Sequence, residues 1–189
     1  MTGTAPGSSC ESATEIQRGG RGHPARIYLP LVYLACLLYM VFFGWLSIMR
    51  HCTFHSNAMD LGYTDQVVWN TLHGRFMRFS TFKEAPIDLP LTQFRRIDTL
   101  LAYHVELALV PISLLYLIYE DPVTLLVLQT VVLALGALPA FWLARERFDS
   151  GFAGLVFALA YLLAPALEGA NLSDFHAVSM TASLLLFAF

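Results

Sequence analysis

Charge is the scarcest ingredient of this 189-residue chain: Asp, Glu, Lys and Arg together make 13% of it, about half the share of a soluble domain. A protein solvated on all sides is thereby excluded. The net charge of −3 and the pI near 6.0 leave no basic surface, which removes nucleic acid from the candidate partners. Cysteine is equally sparse. Cys10, Cys36 and Cys52 fall in a tail, in an apolar run and just past it, so no intrachain disulfide is expected between them. Phosphate-binding glycine loops, dinucleotide fingerprints, zinc-ligand spacings and the Gly-x-Ser-x-Gly elbow are all missing. A nucleotide cofactor and nucleotide-driven transport by this chain alone are therefore not expected.

What is present in excess is apolar surface, with 57% hydrophobic residues and a mean hydropathy of +0.59. A chain of this length cannot hide that much in one core, so membrane lipid must be part of its solvent. Residues 1–26, rich in Gly, Ser, Thr and Ala, read as a disordered cytoplasmic tail. Residues 27–49 form an apolar run that would span roughly 35 Å as a helix, enough to cross a bilayer. Arginines precede this run, and no small-residue cleavage site ends it, which favours an uncleaved span with a cytoplasmic N-terminus. Further spans are expected over 123–143 and 151–168, with a truncated one over 177–189. The fold class is thus an all-α integral membrane bundle of about four membrane helices. Because the last apolar run holds about 13 residues against the roughly 20 that a span needs, the chain reads as a fragment of a longer protein.

Between the first two confident spans, residues 50–122 form a polar exterior loop with interfacial helices. Leu61, Val68, Trp69 and Leu72 recur at helical spacing and Gly74 stands where such a helix needs its C-terminal cap. Residues 86–90 read as an irregular connection. Residues 100–119 are ambiguous, apolar enough to insert yet carrying His104, Glu106 and Pro111. If they span, Arg145 and Arg147 face the exterior against the positive-inside rule. If they lie in the interface or re-enter, those arginines stay in the cytoplasm and 169–176 becomes a second exterior loop. The second topology is preferred. It gathers Asp60, Asp65, His104, Glu106, Asp174 and His176 on one side of the plasma membrane.

These residues are the candidate chemistry. Asp60 suits a base or a divalent-metal ligand, and its bland alternative is to cap the interfacial helix. Asp65 shares the apolar face of that helix, an expensive place for an acid unless a partner such as Arg75, Arg78 or Arg95 receives it. His104, beside Tyr103, is placed for phosphate contact, with snorkelling to the headgroups as the alternative. Asp174 either caps a helix starting near Ala177 or supplies a second acid, with Asp60, for a metal-assisted reaction at a phosphate leaving group. Arg75, Arg78, Arg95 and Arg96 add anion binding or form a headgroup-facing basic surface.

The block from Asp60 to Asn70, His104 opening an apolar segment, the Leu-Gly-Ala-Leu-Pro centre of the 125–147 helix, and Gly169-Ala-Asn-Leu-Ser-Asp-Phe-His176 together carry a family resemblance. They resemble a bacterial family of predicted multi-pass membrane proteins, domain of unknown function 2079, itself distantly similar to GT-C glycosyltransferases. The resemblance covers roughly residues 50–189. It implies the N-terminal portion of a GT-C-like fold and transfer of a sugar from a polyprenyl-phosphate donor at the exterior face. It further implies Asp60, or Asp65, as the catalytic acid of the first exterior loop. Asp174 is similar in position to second-loop acids that bind a metal, Mg or Mn, and His104, Arg75, Arg78 and His176 would serve the substrate. Leu61 stands where an adjacent acidic pair would need its second member. The competing class is a transporter or a non-enzymatic membrane protein, which needs polar groups along the spans. Gln129 and Thr130 are nearly the only ones there.

Overall fold

The computed structural model describes residues 25–80, 99–102 and 104–189, all helix, turn and connection. The expectations for most of the tail, for residues 86–90, Arg95 and Arg96, and for Tyr103 lie outside the described residues. No strand forms among the described residues, and the one isolated antiparallel bridge joins Arg78 to Thr99.

The first span is helix α1, Ala25–Cys52. It starts earlier than the apolar run alone suggests and places Pro30 inside the helix rather than in its first turn. Its apolar residues run all the way round, as a lipid-facing helix requires. Val32, Cys36, Tyr39 and Phe43 form the buried stripe, while Leu34, Leu38, Val41 and Trp45 stay exposed on the opposite side. The second span, Val123–Phe148, is built of α4 (Val123–Leu135) and α5 (Ala137–Phe148) joined through Gly136. Of its most apolar window 56% is buried inside the protein, against 22% for the first span, so the second span is the central one.

Asp149, at a φ of 50°, closes α5, and the Ser150 hydroxyl accepts the Ala153 amide at 3.3 Å to open α6 (Gly151–Leu162). The resulting α5–α6 hairpin is tight. A Cβ on Gly154 would lie 2.7 Å from the Phe141 ring and 2.8 Å from the Phe141 carbonyl oxygen, so only glycine permits this approach.

The apolar stretch 151–168 does not make one straight span. Pro165 lacks the amide that would continue the helix and forces the preceding residue into an extended conformation, seen at Ala164 with φ −68° and ψ 121°. Helix α7 (Pro165–Leu172) therefore departs from α6 at 42°. Glu168 lies within α7, and the connection that was expected over 169–176 begins only at Ser173. The final apolar stretch forms a 3-10 turn, Ala177–Met180, and α8, Thr181–Ala188. Among the described residues, two helices are long and apolar enough to cross a membrane, or three if the bent α6–α7 pair counts as one. The expected four is reached only by adding the short α8 region.

Above the spans sits a layer of short elements. A π-helical turn, Ala58–Gly62, leads into α2, Tyr63–Leu72. Gly74 follows it at φ +79°, in the left-handed region expected of a residue that ends a helix. Residues 100–119 hold a 3-10 turn, Leu100–Ala102, then α3 (Leu109–Ser113) and a 3-10 turn, Leu114–Leu117. None of these is long enough to cross a bilayer. Leu61, Val67 and Val68 of the first part pack with Leu109, Tyr116 and Phe175 into a second apolar cluster, separate from the one between the spans. Trp69, expected on the apolar face, is 38% exposed and donates its indole N–H to Glu120 Oε2 at 3.2 Å.

Candidate functional site

The connection 173–176 reaches the π-helical turn across more than a hundred residues of sequence. Asp174 Oδ2 accepts the backbone N–H of Asn57 at 2.6 Å. Asp174 thus caps a distant turn and not the one beginning at Ala177, which has no side-chain cap. His176 Nε2 lies 3.8 Å from Asp60 Oδ1, with both side chains about two-fifths exposed. That distance allows charge attraction but exceeds a hydrogen bond. The capping role considered for Asp60 is not seen, since the N-cap of α2 is Gly62 and no side-chain cap bond is made there. Asp60 instead projects from a π-helical turn, an irregularity common where a side chain must be re-aimed.

The tautomer of His176 follows from its other nitrogen. Nδ1 lies 2.8 Å from the Asp174 carbonyl oxygen, which can only accept, so Nδ1 carries a proton. When the ring is neutral, a bare Nε2 therefore faces the Asp60 carboxylate. Tyr63 adjoins this pair. Its phenol is raised above the usual range by burial, with the Glu106 and Asp60 carboxylates adding to the effect and a hydrogen bond with Thr64 opposing it.

Asp65 stands apart from Asp60 and has a different partner from the arginines expected. The Tyr116 hydroxyl donates to Asp65 Oδ1 at 2.6 Å. Burial raises the Asp65 carboxyl above the ordinary range; the Tyr116 bond opposes that rise, Asp121 adds to it, and His51 counters it. Tyr116 is itself pushed up, by burial first and then by the Asp65 bond and charge. Periodicity could say which face Asp65 occupies but not that Tyr116, 51 residues on, would meet it.

The remaining expected substrate residues lie on other elements than the turn that carries Asp60. Arg75 and Arg78 are exposed beyond the far end of α2 from Asp60, roughly 15 Å of helix away. There the Arg75 N–H donates to the Asn70 carbonyl at 2.8 Å, and the Arg78 carbonyl accepts from Asn70 Nδ2 at 3.0 Å. His104 is exposed, and its backbone N–H donates to the Leu100 carbonyl at 2.8 Å. As for a divalent metal, no group of three or more His, Cys, Asp or Glu side chains that could hold one gathers among the described residues. One oxygen of Asp174 is committed to Asn57. The pair Asp60 and Asp174 does not fit a metal cage.

Beneath the site, Gln129, Thr130 and Ser47 of the spans are hydrogen-bonded to the 170–176 segment. The Gln129 amide donates to the Ala170 carbonyl at 3.0 Å and its Oε1 accepts from the His176 N–H at 2.9 Å and the Ser179 hydroxyl at 3.0 Å. The Thr130 hydroxyl lies 3.0 Å from Asn171 Oδ1, and Ser47 of α1 donates to the Asn171 carbonyl at 3.2 Å. Sequence reasoning marks Gln129 as costly inside a span, yet not what it supports.

Together these features define a helical membrane protein in which a broken hydrophobic helix delivers an Asp–His loop onto a short surface helix. The chain belongs to the family described as Predicted membrane protein (DUF2079), whose model matches residues 50–189. Neither a curated protein nor a solved structure matches it.

Proposed function

We propose that this protein is a membrane-embedded glycosyltransferase that draws a sugar from a polyprenyl-phosphate donor at the exterior face of the plasma membrane, with Asp60 as its base. The observation that supports this most directly is the 3.8 Å approach of His176 Nε2 to Asp60 Oδ1. It joins two loops around a carboxylate that a substrate can reach. The acceptor hydroxyl gives its proton to the Asp60–His176 pair while its oxygen bonds to the anomeric carbon. The bond from that carbon to the phosphate oxygen breaks, and the polyprenyl phosphate leaves with the electron pair. The proton comes to rest on Asp60, which His176 Nε2 faces at 3.8 Å. Asp174 serves by holding the 57–60 turn in place, and His104 is left for the donor headgroup. Arg75 and Arg78, at the far end of α2, face lipid headgroups.

The resemblance to GT-C enzymes supports the reaction class, and the distribution of charge supports the orientation, with Arg145 and Arg147 in the cytoplasm. The transporter alternative calls for polar groups along a path. Gln129 and Thr130, buried at 0% and 1% exposure, are instead bonded to the 170–176 backbone and side chains.

The test is transfer of labelled sugar from polyprenyl-phosphate donors by the full-length protein in membranes. Asp60→Asn is expected to lower the rate by about 10²- to 10⁴-fold, the usual contribution of a general base. Equal rates would remove Asp60 from the reaction. Orientation is checked with single cysteines at Ser173 and Arg147, of which only the first should react with an impermeant thiol reagent added outside.

A further inference from the structure

We infer that Gln129 is the positioning residue of this site: from inside the second span it fixes the backbone of residues 170–176 and with it the tautomer and placement of His176. The inference rests on the proposed role of the Asp60–His176 pair. Its physical basis is the pair of helix ends that meet there. Helix α7 stops at Leu172 and the next turn starts at Ala177, leaving carbonyls of one and amides of the other without helical partners. Among apolar neighbours such groups must be bonded by side chains. Gln129, fully buried, bonds both ends at once, reaching Ala170 on one and His176 and Ser179 on the other.

Only five residues separate its two backbone anchors, and Phe175 among them is itself 1% exposed. The loop therefore has little freedom to swing. With the His176 backbone held, its ring N–H meets the Asp174 carbonyl and its other nitrogen is turned to Asp60. A neutral glutamic acid could replace Gln129, having one acceptor oxygen and one O–H donor. Leucine could make neither bond, and asparagine is shorter by one methylene.

The experiment uses the full chain in lipid bilayers with ¹⁵N-labelled histidine, read by NMR at a pH where the rings are neutral. The His176 signal is assigned by its loss in His176→Asn. Wild type is expected to show the Nδ1–H tautomer. Gln129→Leu should lose it in favour of a mixture with Nε2–H and should accelerate amide exchange at His176 more than tenfold, while Gln129→Glu restores both. A Gln129→Leu protein that keeps the Nδ1–H tautomer and slow exchange overturns the inference. Should the leucine variant fail to insert, Gln129→Asn is read by the same two criteria. No sugar donor enters these measurements, so a failed transfer assay and a failed clamp are told apart. Asp60→Asn, which should slow transfer, should leave the Nδ1–H signal in place.

Discussion

The two apolar clusters of this molecule handle the same difficulty, a polar backbone among apolar neighbours, by different means. Between the spans, α1, α4, α5 and α6 satisfy their amides and carbonyls internally, and side chains such as Phe141 are left to pack. In the layer above, helices of three to ten residues leave many backbone groups over, and side chains must bond them: Asp174 to Asn57, Asn70 to Arg78, Gln66 to Ser80. The contrast teaches where function can reside. A layer held by individual polar bonds can carry an exposed carboxylate and a histidine at modest cost, whereas the span cluster cannot.

The contrast is open to measurement. The largest effect is expected from Phe141→Ala, which removes a fully buried ring from the span cluster and should cost about 3–5 kcal/mol in unfolding experiments in detergent or bilayers. Gly154→Ala comes next, at about 1–3 kcal/mol, because the new methyl group must displace the Phe141 ring and press on its carbonyl. Tyr116→Phe should cost about 1–2 kcal/mol, the worth of one hydrogen bond to a partly buried carboxylate. If it equals Phe141→Ala, the division between a packed cluster and a bonded layer does not hold.

The smallest effect concerns acidity. Burial raises the folded-state Asp65 carboxyl above its unfolded value, so the stability linked to its proton is fully present below the ordinary carboxylate range and is lost as pH rises through the raised value. Asp65→Asn carries no such proton. The stability of the variant relative to wild type should therefore increase as pH rises from about 4, the ordinary carboxylate value, through the raised one, as read from melting temperatures. A constant difference across that window would show that burial of Asp65 has no energetic consequence.

Legibility from sequence divides along the same line. Helix α2 and its glycine stop were readable because periodicity and a left-handed residue are local signals. The apolar run 151–168 reads as one span because hydropathy carries no direction; Pro165 is the only mark of the bend, and it decides where the Asp174–His176 loop begins. The residue types of the candidate site were legible in the sequence. Its pairings were not, since Asp60 with His176, Asp65 with Tyr116 and Asn57 with Asp174 each join residues more than fifty positions apart. Arg75 and Arg78, close to Asp60 in sequence, follow the far end of α2.

The abrupt reversal at Asp149 and Ser150 also bears on how the protein is made. With no slack in that turn, a translocon receiving α5 has the start of α6 beside it almost at once. With Gly154 seated on Phe141 the two segments make one wedge, so α5 released alone would leave the Phe141 ring facing lipid until α6 arrives.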